Sequence, residues 1–171
     1  MQRIAIIGNA GGGKSTLAWR LGARLDVPVF QVDQVQWLPG WQPAPAEVIA
    51  AAFEDWLAQP GWVIDGWGSL AALAERFERA DTIILVDFPL IVHYWWAMKR
   101  QVRSTLRPGG DWPPPGCAAL PVTGRLIGLM WHIHTDLRPQ LLALVDGYRA
   151  RRRVVTLQSP AQLRRFIATE W

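Results

Sequence analysis

The sequence predicts an α/β fold in which a central parallel sheet carries helices on both faces. Short, continuously apolar runs predict buried strands at residues 3–7, 29–32, 61–65, 82–87 and 153–157. Longer segments between these runs repeat apolar residues every three or four positions, as helices do. Alternation of strands and helices favours a parallel sheet, because each parallel connection needs a crossover segment.

In the first half of the chain, residues 14–25 form the first predicted helix. Its apolar face consists of Leu17, Ala18, Leu21 and Leu25. Residues 38–45 are rich in proline and glycine and predict a loop. Residues 46–58 and 69–79 predict two further helices, each following a strand or loop.

The second half of the chain begins with a long predicted helix at residues 90–107, followed by a proline-rich loop at 108–115. Two separate helices are predicted at residues 121–134 and 137–149, and a last helix at 161–168. In a parallel sheet of this kind, ligands bind at the carboxyl ends of the strands. Four such ends carry Gly8, Asp33, Asp65 and Asp87, which predicts one shared crevice.

The composition predicts one domain, residues 1–171, in the cytoplasm. No apolar run reaches the ~18 residues of a membrane span, and no signal peptide is visible, so we expect no membrane partner. The single cysteine, Cys117, fits a reducing compartment. The net charge of +4 suits phosphate-bearing ligands but gives weak support for a nucleic-acid partner.

Residues 8–15 read Gly-Asn-Ala-Gly-Gly-Gly-Lys-Ser and satisfy the phosphate-loop pattern G-x-x-x-x-G-K-[ST] between a strand and a helix. Backbone N–H groups of such a loop face phosphates, and the helix adds its positive N-terminal end. Lys14 can reach the β- and γ-phosphates, and the Ser15 hydroxyl can ligate Mg²⁺. The predicted nucleotide-binding residues are Gly8, Asn9, Ala10, Gly11, Gly12, Gly13, Lys14, Ser15 and Thr16.

Other nucleotide-binding classes fit the sequence less well. The dinucleotide pattern G-x-G-x-x-G fails because Ala10 occupies its second glycine position. The Asn-Lys-x-Asp motif of GTPases is absent, because the only lysine outside the loop is Lys99, which follows Met98. A small kinase-like P-loop NTPase fold of three layers is the remaining prediction.

Two strands end in an aspartate that could hold Mg²⁺, namely at Asp65 and at Asp87. We favour Asp65 as the metal residue together with Ser15, whereas Asp87 precedes Phe88-Pro89 and could instead cap that turn. Asp33 ends the second predicted strand, where it could orient or deprotonate an acceptor hydroxyl.

The helix at residues 90–107 places Arg100, Arg103 and Arg107 within about 60° of one another. We expect this row to face the crevice or solvent, and to close over the transferring phosphate. The opposite face, expected to lie against the protein, consists of Ile91, Trp95, Met98, Val102 and Leu106. Arg138 is a further candidate for phosphate contact.

Several stretches beyond the phosphate loop are shared with a known family, namely Val32-Asp33, Trp37-Leu38-Pro39-Gly40-Trp41, Trp62-Val63-Ile64-Asp65-Gly66 and Arg79-Ala80-Asp81-Thr82-Ile83-Ile84. They resemble bacterial adenylate-kinase-related proteins, also described as DNA topology modulation proteins of the FlaR type. The Trp-Leu-Pro-Gly-Trp stretch is the most specific to that family.

The resemblance extends to nucleoside monophosphate kinases. It implies a five-stranded parallel sheet, ATP with Mg²⁺, and a small lid at approximately residues 100–120. It also supports Asp65, because adenylate kinases carry Asp-Gly at this strand end. By the same analogy, Ser159 and Pro160 would lie near adenine.

The sequence departs from adenylate kinases on the acceptor side. Trp67-Gly68-Ser69 follows the Asp-Gly pair where adenylate kinases have Phe-Pro-Arg, and Asp33-Gln34 replaces their Thr-Gly acceptor motif. The predicted function is therefore transfer of the ATP γ-phosphate to an unidentified small-molecule acceptor, at a site that does not match the AMP site of adenylate kinases. Two alternatives stay open: an ATP-binding regulator that affects DNA topology without significant kinase activity, and a weak ATPase with an open lid.

Overall fold

The computed structural model describes residues 2–107, 110 and 112–169. The strands are β1 (Arg3–Gly8), β2 (Val29–Gln31), β3 (Trp37–Leu38), β4 (Gln42–Pro43), β5 (Trp62–Asp65), β6 (Thr82–Val86) and β7 (Arg153–Leu157). The helices are α1 (Lys14–Leu25), α2 (Val32–Gln36), α3 (Ala46–Ala58), α4 (Leu70–Arg79), α5 (Leu90–Leu106), α6 (Thr123–His132), α7 (Arg138–Tyr148) and α8 (Pro160–Thr169).

Five parallel strands form the central sheet in the order β2-β5-β1-β6-β7, which confirms the predicted fold class. Side chains alternate between its two faces with the two-residue period of a strand. In β1, Ala5 and Ile7 join one buried cluster with α3, α4 and α7. Ile4 and Ile6 join another with α1 and α8. The sheet is therefore the middle of three layers.

Two predicted segments around the second strand differ from the structure. The predicted loop at residues 38–45 contains the small hairpin β3–β4, in which Leu38 pairs with Gln42. The second strand ends at Gln31, so Asp33 lies in the first turn of α2 rather than at a strand end.

The two helices predicted at residues 121–134 and 137–149 are not separated by a break. A π-helical stretch, Ile133–Leu137, joins α6 directly to α7. Pro139 follows it at the start of α7 and has no amide proton for a helical hydrogen bond. A π-helical turn accommodates such an interruption while the chain continues in one direction.

Helix α5 faces the protein with a different side than predicted. Its long apolar residues are exposed, with Ile91 at 72% and Leu106 at 75% of their full accessible areas. The same exposed face holds Trp95, Met98 and Val102. The buried positions are His93, Ala97 and Gln101. Small and polar residues are buried here because the phosphate loop approaches α5 closely.

None of the described helices is both long and apolar enough to cross a membrane. The predicted loop at residues 108–115 and the predicted lid at residues 100–120 each include positions 108, 109 and 111, which lie outside the described residues.

Candidate active site

A cavity of about 900 Å³ opens at the carboxyl edge of the sheet. The phosphate loop and the start of α1 contribute Lys14, Ser15 and Thr16 to its lining. Asp33 of α2 and Asp65 at the end of β5 lie on the side of β2 and β5. The structure therefore brings together the loop and two of the three predicted carboxylates in one cleft.

Glycines give the phosphate loop its shape. Gly13 precedes α1 with φ of 75°, and Gly11 has φ of 69°, both in the left-handed region that favours glycine. A Cβ atom on Gly11 would lie 2.3 Å from the carbonyl oxygen of His93. Any side chain at residue 11 would therefore displace the loop from α5.

Two buried polar side chains, Asn9 and His93, anchor the loop through hydrogen bonds to backbone groups. Asn9 is buried, and its Nδ2 donates to the carbonyl oxygen of Met130 on α6 at 2.8 Å, while its Oδ1 accepts from the N–H of Ala10. The Nδ1 atom of His93 lies 3.0 Å from the carbonyl oxygen of Ala10, so that nitrogen carries the proton and donates. Burial lowers the pKa of His93 to about 4, and the neighbouring Lys14 charge adds to the decrease.

Lys14 is held over the loop and directed into the cleft. Its Nζ donates to the carbonyl oxygen of Asn9 at 3.0 Å. Burial lowers the pKa of Lys14, whereas the nearby Asp65 and Asp33 charges oppose that decrease. An ammonium in this setting provides a positive charge where phosphates would lie.

Ser15 and Asp65 form the candidate metal site. The Ser15 hydroxyl donates to Asp65 Oδ2 at 2.6 Å, and the second oxygen, Oδ1, is buried without a hydrogen-bond partner among the described residues. A hydroxyl and a carboxylate are oxygen donors of the kind that Mg²⁺ prefers, and Mg²⁺ usually keeps water and phosphate as its other ligands. The pair therefore fits a nucleotide-bound Mg²⁺, although no cluster of three or more His, Cys, Asp or Glu residues occurs within the described ranges.

Asp33 keeps accessible surface toward the cleft, across from Lys14. The surrounding protein disfavours its charge and raises the pKa of Asp33, and the Lys14 charge partly opposes that increase. A carboxylate with a raised pKa is a stronger base than one with the ordinary pKa of an aspartate, as proton transfer from a hydroxyl requires.

The arginine row of α5 also reaches the cleft, with Arg100, Arg103 and Arg107 all in its lining. The guanidinium carbon of Arg100 lies 4.0 Å from the ring centroid of Trp112. Its Nε is buried without a partner in the described part of the chain, and burial lowers the pKa of Arg100. Arg100 therefore presents an unused donor at the site.

Arg138 and Asp87 are paired with each other. Arg138 donates to both carboxylate oxygens of Asp87, at 2.7 and 2.8 Å. Neither residue lines the described cleft. The structure thus gives Asp87 a bidentate ion-pair partner, and the Arg138 guanidinium is engaged by that carboxylate.

Helix α8, which follows β7, packs beside the phosphate loop. The Ser159 Oγ accepts from the N–H of Gln162, which caps α8, and Pro160 is the first residue of that helix. A Cβ on Gly13 would lie 3.2 Å from the side chain of Leu163 on α8. This adjacency agrees with the predicted position of Ser159 and Pro160 next to a bound nucleotide, which stays a prediction.

Sequence reasoning missed the aromatic wall of the cleft, which consists of Trp37, Trp41, Trp67 and Trp112. It also missed Gln31, Gln36 and Arg125 as lining residues. The available signal was the position of Trp37 and Trp41, four and eight residues after Asp33, and the three residues line the same cavity.

No protein-family model and no curated protein matches the chain. Its structure is similar to that of the shikimate kinase from Acinetobacter baumannii in complex with shikimate, with a TM-score of 0.57 and 13% identity, covering 99% of this chain and 90% of that chain. It is also similar to the shikimate kinase from Bacteroides thetaiotaomicron, with a TM-score of 0.54 and 14% identity, covering 98% and 94%. These likenesses show a shared P-loop kinase-like fold.

Proposed function

We propose that this protein transfers the γ-phosphate of ATP to the hydroxyl of a small-molecule acceptor. The observation that carries the proposal is the cleft itself, where Lys14, the Ser15–Asp65 pair and Asp33 lie around one cavity. A nucleotide-binding protein that only senses ATP has no need of a carboxylate such as Asp33 across the cleft from the phosphate loop.

The donor half of the reaction uses the phosphate loop. Its backbone N–H groups and Lys14 would bind the β- and γ-phosphates, and Ser15 and Asp65 would hold Mg²⁺. Mg²⁺ would neutralise phosphate charge and orient the γ-phosphoryl group. Ser159 and Pro160 would border the adenine, since α8 packs beside Gly13.

The acceptor half uses Asp33. The acceptor oxygen forms a bond to the γ-phosphorus as the bond from that phosphorus to the bridging oxygen of ADP breaks. The acceptor proton passes to the Asp33 carboxylate and then to solvent. Arg100, Arg103 and Arg107 would offset negative charge on the transferring group, and the segment at residues 100–120 would act as the lid. Arg138 would reach a phosphate only after release from Asp87.

The geometry does not favour the alternative of a DNA-topology regulator without kinase activity. Assignment to the adenylate-kinase-related family of FlaR type likewise remains a proposal, supported by the sequence stretches given above. An assay of ATP turnover with Mg²⁺ against nucleosides, nucleoside monophosphates and hydroxylated metabolites tests the function. We expect one class of compound to stimulate turnover and to yield a phosphorylated product. Turnover unaffected by every compound would contradict the proposal.

A further inference from the structure

The two sides of the cleft differ in charge. Its basic residues, Lys14, Arg100, Arg103, Arg107 and Arg125, belong to the phosphate-loop helix, to α5 with its C-terminal end, and to α6. The facing side is built from residues 31–68, and no lysine, arginine or histidine occurs anywhere between Arg24 and Arg76. That side instead carries the carboxylates of Asp33 and Asp65.

The facing side is also aromatic. Trp37 packs edge-on against Trp41 at 5.7 Å between ring centroids, and Trp41 lies 5.3 Å from Trp112. The indole N–H of Trp41 already donates to the carbonyl oxygen of Ala118, and that of Trp112 to Oε1 of Gln101. The donors of Trp41 and Trp112 are therefore already used, and the guanidinium of Arg100 covers one face of Trp112 at 4.0 Å. A ligand would meet the π faces of Trp37 and Trp41.

One unused donor lies on the same side. The Nε2 of Gln31 is buried and has no hydrogen-bond partner among the described residues, although Gln31 lines the cleft. A buried donor without a partner costs free energy that a ligand acceptor atom could recover. An amide beside an aromatic wall suits a ring that carries a carbonyl, hydroxyl or ring nitrogen.

We infer that the phosphoryl acceptor is a ring-bearing hydroxyl compound that is uncharged or cationic, bound with its ring against Trp37 and Trp41. This inference rests on the proposed function, because it uses Asp33 to place the acceptor hydroxyl. An acceptor whose hydroxyl contacts Asp33 must lie against the neighbours of Asp33. Asp65 would be occupied by Mg²⁺, and Lys14 and Arg100, whose charges act on Asp33, would be occupied by the phosphates of ATP. A carboxylate or phosphate on the acceptor would then face the Asp33 carboxylate, whereas a ring or an ammonium group gains stacking or cation–π contact.

Matched compounds that differ in charge test the inference. 3-(Hydroxymethyl)benzylamine and 3-(hydroxymethyl)benzoate share a ring and a hydroxymethyl group, and adenosine and AMP share a nucleoside. Phosphorylation of each is measured with ATP and Mg²⁺, and binding is measured calorimetrically in the presence of ADP. We expect the amine and the nucleoside to exceed their anionic counterparts by about tenfold in kcat/KM and in affinity, as ~1.4 kcal/mol of differential binding gives.

The variant Trp41→Leu should weaken the amine and the nucleoside about tenfold, whereas Trp131→Leu, at an exposed position of α6 outside the cleft lining, should not. Equal or stronger use of the anionic member, or equal effects of the two variants, would overturn the inference. So would the absence of binding by all four compounds while ADP still binds. Selective binding without phosphate transfer would support the inferred ligand class and refute the proposed function.

Discussion

The donor and acceptor sides of the cleft are built in different ways. The phosphate-binding part of the donor side is one contiguous stretch, residues 8–16, from which Ala10, Lys14, Ser15 and Thr16 line the cleft. The acceptor side combines α2, the β3–β4 hairpin and the end of β5 with Trp112, which lies far along the chain. Phosphate is recognised by a local backbone shape, whereas an acceptor is recognised by side chains that only the folded chain assembles.

The donor side also tolerates less change than the hairpin of the acceptor side. A Cβ on Gly11 would lie 2.3 Å from the carbonyl oxygen of His93 on α5, and one on Gly13 would lie 3.0 Å from the ring of Trp96. Gly66 on the acceptor side is also restricted, because its Cβ would lie 2.8 Å from Val32, whereas a Cβ on Gly40 at the tip of the hairpin would meet no atom within 4 Å. The hairpin can therefore change to suit another acceptor while the phosphate-binding geometry is kept.

Replacement of Lys14 should produce the largest effect on the donor side. Lys14→Ala removes the positive charge beside the phosphates, and we expect ATP turnover to decrease about 10³-fold. Steady-state ATP turnover measures this. Lys99→Ala is the matched control, because Lys99 is the only other lysine and lies exposed on α5 outside the cleft lining. Normal turnover in the Lys14 variant would contradict the donor assignment.

Two carboxylates of the cleft should respond differently. Asp33→Asn should lower kcat for phosphate transfer about 10²-fold with little change in ATP affinity, because only the base is lost. Asp65→Asn should instead raise the Mg²⁺ concentration needed for half-maximal turnover, since Asp65 holds Ser15 and has a free oxygen. Because the pKa of Asp33 is raised, kcat should fall as the pH is lowered, with a midpoint above the ordinary pKa of an aspartate. The same Mg²⁺ dependence in both variants would refute the separation of roles.

The sheet could be predicted because each buried strand is a local, continuously apolar run. Residues 153–157 and the helix at 46–58 have the predicted bounds. The orientation of α5 could not be predicted, because its buried side is determined by close approach of the phosphate loop at Gly11 and not by its own hydrophobicity. The apolar periodicity of α5 predicts that Ile91 is buried, and the burial of His93 instead results from tertiary packing.

The same distinction holds for the site. Lys14, Ser15 and Asp65 could be placed from motifs, because strand ends of a parallel sheet meet at one edge. The pairing of Arg138 with Asp87 could not, because it joins residues 51 positions apart through the docking of α7. Trp112 reaches the cleft in the same nonlocal way.

The pH dependence of stability should test whether His93 anchors the phosphate loop of the donor side. Burial lowers the pKa of His93 to about 4 in the folded protein, below its ordinary value near 6.5, so the unfolded chain binds the extra proton between these values. Stability is therefore full above pH 6.5 and decreases as the pH falls toward 4, by about 2 kcal/mol between pH 7 and pH 5. Urea unfolding at both values measures this decrease.

The variant His93→Asn keeps a side-chain donor near the carbonyl of Ala10 but does not titrate in this range. Between pH 7 and pH 5, we expect the free energy of unfolding of this variant to fall by about 2 kcal/mol less than that of the unsubstituted protein. An unchanged dependence would show that another group carries the proton linkage and that His93 does not couple the donor side to pH.

The smallest expected effect lies where the two sides join. Trp67 lines the cleft, its Nε1 donates to the carbonyl oxygen of Gly8 at 2.9 Å, and its own carbonyl oxygen accepts from Arg76 at 2.7 Å. Trp67→Phe keeps an aromatic ring but leaves the Gly8 oxygen without its donor, so we expect a loss of about 1 kcal/mol in the free energy of unfolding. Urea unfolding measures it against Trp131→Phe, an exposed position where the change should stay within about 0.5 kcal/mol. Equal losses in the two variants would mean that the bond from Trp67 to Gly8 does not hold the acceptor side to the phosphate loop.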